Sequence, residues 1–281
     1  MKKEGLSAAQ ITAYAQALRE EERAPATVEK YLRDVRAFAA FVGGGAVTRE
    51  RAAGWREHLL SGGLTPATVN AKLSALNGLF RFLGWEECRV KFLRVQRRVF
   101  RDRERELTRE EYRRLVEAAQ SGGRERLELL MEAICATGIR VSEVRYLTVE
   151  AARSGRAEVR LKGKIRSILL PRKLCRKLLK FARKQKIASG AIFRAGDGRP
   201  LSRHRIWREM KALCGRAGVA ETKVFPHNLR HLFAALFYRA TRDIVKLADV
   251  LGHSSVETTR IYLMTNGQEH VRQLDRLGLV S

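Results

Sequence analysis

The tetrapeptide Pro25-Ala26-Thr27-Val28 recurs 41 residues later as Pro66-Ala67-Thr68-Val69. Downstream of the two copies, Val28, Leu32, Val35, Ala39 and Val42 correspond to Val69, Leu73, Leu76, Phe80 and Leu83. Apolar residues at i, i+4, i+7, i+11 and i+14 share one face of an α-helix, and each run stops at a glycine, Gly43 or Gly84. The spacing therefore predicts two similar amphipathic helices. Two copies fall short of a solenoid, which needs roughly three or more. The expected product is a compact helical domain over residues 1–93, with weaker helices around Ser7 to Glu22 and Arg49 to Leu60.

A chain of 281 residues with 45% apolar content supplies cores for two ordinary domains. Its 56 lysines and arginines against 30 aspartates and glutamates give a formal charge of +26, far more than solubility requires. A polyanionic partner follows. No apolar run approaches the roughly 18 residues of a membrane span, and Met1-Lys2-Lys3-Glu4-Gly5 leads into no stretch of signal-peptide type. Nucleic acid is thus expected over an anionic membrane, and the cytoplasm, at the nucleoid, is the expected compartment. Cys88, Cys135, Cys175 and Cys214 stand 39 to 47 residues apart, without a CxxC pair or clustered histidines. Four reduced thiols and no metal site are expected.

Residues 94–106, RVQRRVFRDRERE, carry six arginines and only two aliphatic side chains. That composition reads as a basic linker near phosphates, with a solvated helix face as the bland alternative. A second domain, residues 107–281, opens at a capping box formed by Thr108 and Glu111, with Leu107 placed to staple onto Tyr112. Helices are expected from Arg124 to Thr137, from Pro171 to Gln185 and from Ser202 to Arg216. Between the first two, Ala157 to Leu161 and Ile165 to Leu169 form a short hairpin around Lys162-Gly163-Lys164. The domain is mainly α with a small β element.

Breaking a phosphodiester requires a nucleophile, neutralisation of the non-bridging oxygens and a proton for the leaving oxygen. Arginine suits the second task, because its fork gives two parallel hydrogen bonds and stays charged. Arg140 lies in Ala136-Thr137-Gly138-Ile139-Arg140-Val141-Ser142-Glu143, and Arg230 in Pro226-His227-Asn228-Leu229-Arg230-His231. His227 and Arg230, three apart, share a helix face behind an N-terminal proline. Alone, each is as well explained by a surface cation or a capping histidine. Further on, Leu251-Gly252-His253-Ser254-Ser255-Val256-Glu257 places His253 in a turn ahead of a second capping box, Ser254 with Glu257. The helix it starts carries Tyr262. A phenol is barely ionised at pH 7 and becomes a nucleophile only beside a base or cations; without the histidines, Tyr262 reads as an ordinary core residue.

Together the three ordered motifs resemble the signature of the tyrosine recombinases, the family of phage integrases and Xer-type proteins. The match is strong over about residues 107–270 and looser before. The resemblance implies an N-terminal helical, SAM-like core-binding domain and a mostly helical catalytic domain of the DNA breaking-rejoining fold. It implies that Tyr262 attacks the scissile phosphate to form a 3′-phosphotyrosyl link, and that Arg140 and Arg230 clamp that phosphate. His227 assists proton removal, His253 hydrogen-bonds a phosphate oxygen and Glu143 orients the site. No cofactor is implied, neither metal nor ATP. The family's β-turn lysine is the general acid, but Lys162-Gly163-Lys164-Ile165-Arg166 is one residue short of that turn. Aligning Lys-Gly selects Lys162, the preferred reading; aligning Lys-x-Arg points to Lys164. The remaining cations, Lys164 and Arg166 with Arg97 and Arg98 of the linker, are assigned to DNA contact.

The implied partners are a double-stranded recombination site and further copies of the chain, four on two sites. Base readout is expected from the helix over 68–83, with Lys30 and Lys72 contributing. The tail, residues 267–281, with Val271, Leu274, Leu277 and Leu279 at helical spacing, docks on a neighbouring protomer or on its own domain. No obvious arm-binding domain is expected before residue 5, a reading that favours an Xer-like or small mobile-element recombinase. Two rivals remain at this stage: a DNA-relaxing enzyme of topoisomerase IB type, and a non-catalytic DNA-binding protein of the same fold.

Overall fold

A computed structural model describes residues 5–95, 105–161, 164–253, 255–260, 262, 271 and 275–278. The chain divides into two compact units, Met1–Arg97 and Arg98–Ser281.

In the first unit the repeated pattern becomes α2 (Pro25–Val42) and α4 (Pro66–Phe82), preceded by α1 (Ala8–Glu20) and separated by α3 (Arg49–Ser61). Each repeat helix begins with proline, whose missing N–H is harmless in the first turn. Each is followed by a glycine in the left-handed region, Gly43 at φ 61° and Gly84 at φ 69°. Val28, Leu32 and Val35 of α2 and Val69, Leu73 and Leu76 of α4 are buried as the spacing predicts. The fourth pair differs. Phe38, rather than Ala39, is the residue of α2 that enters the core, and it meets Phe80 edge to face at 5.9 Å. The apolar stripe is wide enough for either neighbour, and the larger ring buries more surface.

Two asparagines two turns apart on α4 hold the chain that follows it. Asn70 exchanges hydrogen bonds with the backbone of Leu93 at 2.8 and 2.9 Å, and Asn77 does the same with Val90 at 3.0 and 2.9 Å. Each carboxamide thus acts as a strand partner, binding residues 90–93 along α4.

The second unit opens with the expected capping box. Thr108 Oγ1 accepts from the Glu111 amide at 3.1 Å while Glu111 Oε2 accepts from the Thr108 amide at 2.8 Å. Its core is built from α5 (Arg109–Ser121), α6 (Glu125–Thr137), α7 (Val149–Ser154), α8 (Arg172–Lys184) and α9 (Arg203–Lys211), with α10 (Cys214–Ala217) and α11 (Pro226–Thr241). The helix expected to run unbroken from Ser202 to Arg216 is divided into α9 and α10. Ala212 and Leu213 keep right-handed backbone angles, so the division is a tightened turn rather than a change of direction. β1 (Arg156–Leu161) and β2 (Lys164–Leu169) form an antiparallel hairpin in which Val159 faces Arg166. Two short helices follow α11, α12 (Ile244–Leu251) and α13 (Val256–Arg260). No described helix is long and apolar enough to cross a membrane.

Candidate active site

Three consecutive carbonyl groups at the end of α12 each accept from a different arginine. Val250 O receives Arg166 Nη1 at 3.4 Å, Leu251 O receives Arg230 Nη2 at 2.8 Å, and Gly252 O receives Arg140 Nη2 at 3.5 Å. A helix leaves its last carbonyls without partners and carries partial negative charge there. In α12 the amides of Gly252 and His253 turn back onto Ala248 and Asp249 through the left-handed Gly252, and the arginines take the rest. Arg230 also donates through Nη1 to Gly138 O, at the C-terminus of α6. Two helix ends thus hold one guanidinium.

Gathering like charges needs a further counter-charge, and Glu143 supplies it. Its side chain is 2% exposed; it accepts from the Arg140 amide at 2.9 Å, from Arg140 Nη1 at 3.0 Å and from Arg166 Nη2 at 2.6 Å. Burial alone would raise the Glu143 carboxyl, but the Arg140 amide and the two guanidiniums outweigh it, and its pKa lies below the usual value. Arg166, assigned to DNA contact from the sequence, here pairs with Glu143 and α12, and a carboxylate this deeply buried is costly without paired cations. Lys72 is paired in the same way: its ammonium sits 2.9 Å from Asp34, whose side chain is 1% exposed. Lys30 is exposed. Lys162, Arg97 and Arg98 lie outside the described residues, as does the side chain of Lys164.

Arg230 is 1% exposed, and its Nε has no partner among the described residues. Burial pushes its pKa down to about 10, helped by Arg140 and Arg166 and opposed by the Tyr262 phenol beside it. Arg230 Nη2 also lies 2.9 Å from His253 Nε2, while His253 Nδ1 lies 2.8 Å from Thr259 Oγ1. A guanidinium only donates, so Nε2 must accept and Nδ1 must carry the proton that Thr259 receives. The ring is therefore neutral. Burial first, then Arg230, Arg140, Arg166 and His227, pull its pKa down to about 4.

Tyr262 is 8% exposed and ringed by imidazoles. His253 stacks on it at 5.4 Å, His231 lies at 4.3 Å, and His227 stands edge-on at 5.9 Å. His227 and His231, one turn apart on α11, contact each other at 4.4 Å. The structure brings Arg140, Glu143, His227, Arg230, His253 and Tyr262 into one cluster and adds two residues that sequence reasoning did not assign, His231 and Thr259. The i, i+4 spacing from His227 was a signal for the first. Thr259, fully buried, gave none beyond lying one turn before Tyr262.

The Phage integrase family model matches residues 105–269, and that of the Phage integrase, N-terminal SAM-like domain, matches residues 11–87. Tyrosine recombinase XerD of Brucella suis biovar 1 (strain 1330) is 31% identical over 264 residues, covering 84% of this chain and 85% of that protein. The chain belongs to the phage integrase family. Tyrosine recombinase XerA of Pyrococcus furiosus (strain ATCC 43587 / DSM 3638 / JCM 8422 / Vc1) is 29% identical over 226 residues, covering 78% of this chain and 77% of XerA. Among solved structures, a lambda integrase dimer bound to a COC′ core site matches with a TM-score of 0.73 at 18% identity, covering 92% of this chain and 77% of that one. XerH bound to its difH substrate in a pre-cleavage complex matches at 0.70 and 20% identity, covering 95% and 84%. At such identities the structures attest the fold, mainly helical with a SAM-like first domain. The family attests the enzyme class, a tyrosine-type DNA recombinase.

Proposed function

We propose that this recombinase cuts and rejoins duplex DNA at a defined site with Tyr262 as nucleophile, forming a 3′-phosphotyrosyl intermediate. The observation that carries the assignment is the packing of Tyr262 against His227, His231 and His253, beside the buried guanidinium of Arg230. Arg140 and Arg230 neutralise the non-bridging oxygens as charge builds. Glu143 holds Arg140 by two hydrogen bonds and shares Arg166, so the clamp is aimed before substrate arrives. His227, exposed at the N-terminus of α11, takes the phenol proton. Lys162, which follows β1 in the sequence, protonates the leaving 5′ oxygen, with Lys164 as its competitor for that role.

His253 requires a proton before it can donate to a phosphate oxygen, because its Nε2 faces Arg230 as an acceptor. A scissile phosphate supplies the reason to take one up. Its negative charge offsets the three arginines that keep the ring neutral, so DNA binding and protonation of His253 are coupled. The covalent bond conserves the energy of the broken linkage, and resealing to a new strand passes through a Holliday junction in a tetramer on two sites. One of the structural matches is a lambda integrase tetramer bound to a Holliday junction. The match of residues 11–87 to the SAM-like domain supports a recombinase over a relaxing enzyme. Its place is the cytoplasm, at the nucleoid.

The test is Tyr262→Phe, which removes one oxygen and keeps the ring. On a suicide substrate nicked close to the cleavage point, the wild-type protein should trap a 3′-linked adduct in EDTA, and the variant none. An adduct with the variant, or wild-type cleavage that needs Mg²⁺ and leaves no protein on DNA, refutes the reading.

A further inference from the structure

α8 carries seven cations and no acid in thirteen residues. Its apolar side, Leu174, Cys175, Leu178, Phe181 and Ala182, is buried. Two of its lysines are neutralised by α6: Lys177 lies 2.7 Å from Glu132, and Lys184 lies 2.6 Å from Glu125. The other five, Arg172, Lys173, Arg176, Lys180 and Arg183, are exposed and have no ion pair or hydrogen bond among the described residues. At about 100° per residue they fall within an arc of roughly 100°, and they extend over about 16 Å of helix. A duplex presents roughly ten phosphate charges over that length.

The stripe is separate from the cluster around Tyr262. No residue of α8 joins that cluster, and the helix is tied to it through α6. Lys177 pairs in the second half of α6 and Lys184 at its first residue, so α8 runs antiparallel and its stripe leads away from Gly138, where Arg230 is bound. No apolar side chain interrupts the five cations, which disfavours an amphipathic protein partner or insertion among lipids. A straight row of unpaired charges suits a straight polyanion.

We infer that the outer face of α8 binds a second DNA duplex, in addition to the one held for cleavage. The inference rests on the recombinase reading, since the first duplex is the cleavage substrate. A surface of this kind keeps a neighbouring DNA segment at hand, raising its local concentration around a protein already bound to its site.

The experiment uses the full chain on an immobilised 30-base-pair duplex of random sequence and measures capture of a second, labelled duplex of the same length. With Arg172, Lys173, Arg176, Lys180 and Arg183 all changed to Gln, binding to the immobilised duplex should stay within about threefold, whereas capture of the second should fall at least tenfold. The slope of log K against log salt for capture should shrink by up to about 4.5, at ~0.9 for each phosphate no longer neutralised. The charge-preserving variant Arg172→Lys/Arg176→Lys/Arg183→Lys should capture as wild type does, which separates charge from fold. Undiminished capture by the glutamine variant would assign bridging to oligomerisation and overturn the proposal. An equal loss on both duplexes would overturn it too, by placing α8 in the primary interface. Preference for poly-glutamate or duplex RNA over DNA would do the same. Wild-type protein that bound the first duplex but captured no second would sink this inference alone, and failure to bind any duplex would sink the recombinase reading with it.

Discussion

Replacing Thr259 with valine tests whether the segment that carries the nucleophile also sets the state of His253. The change keeps shape and burial and removes the one oxygen, 2.8 Å from His253 Nδ1, that receives the ring's proton. With Nε2 committed to Arg230 at 2.9 Å, the ring cannot exchange tautomers without turning a lone pair away from a guanidinium. An unsatisfied buried donor costs ~1–3 kcal/mol. If the transition state feels that whole cost, single-turnover cleavage falls about 5- to 150-fold. Thr259→Ser keeps the hydroxyl and should retain most of the rate, despite losing a buried methyl. Because Thr259 acts through His253, the double variant Thr259→Val/His253→Ala should be no slower than His253→Ala alone. The assay is adduct formation on a nicked suicide duplex, with DNA affinity measured in parallel. Wild-type cleavage by Thr259→Val would refute the reasoning, and equal defects in the serine and valine variants would trace the effect to packing instead.

Gly138→Ala should lower stability by about 2–4 kcal/mol, because the residue sits at φ 64° and a Cβ would lie 2.5 Å from the Phe233 ring. In urea denaturation Gly155→Ala, at φ 74° in open space, should cost clearly less, and equal losses would remove the packing argument. Stability should fall as pH drops from about 6.5 towards about 4, since the unfolded chain protonates its histidine before folded His253 does, and level off above that window. His253→Gln should flatten that dependence in denaturant titrations at pH 5 and 7; an unchanged slope would place its origin elsewhere. Lys162→Ala should cleave ordinary DNA poorly and recover on a 5′-bridging phosphorothiolate, where no general acid is needed, while selective rescue of Lys164→Ala instead would move the role there.

The helices of both units were legible because their signals are local. Repeated apolar spacing, prolines at N1, terminal glycines and the Thr108–Glu111 box each act within one or two turns. The identity of the clustered residues was legible for a similar reason, as ordered motifs of unusual composition. What stayed hidden depends on contacts between distant segments. Arg166 and Lys72 look like any other cations in a chain of charge +26, and only the fold shows that each neutralises a buried carboxylate. Phe38 and Ala39 are adjacent on α2, and a stripe pattern does not choose between neighbours. Thr259 is one more helical threonine until His253 is seen against it.

The row of carbonyls at the end of α12 makes that helix a ruler. Val250 and Leu251 sit about 100° apart around the helix axis, Gly252 turns away through the left-handed region, and each of the three carbonyls is matched to an arginine from a different part of the chain. Side-chain substitutions in α12 leave this alignment intact. One residue inserted between Asp243, which caps the helix, and Gly252 would rotate all three acceptors at once, and the guanidiniums would lose their seats together. Length, more than sequence, is what this short helix has to preserve.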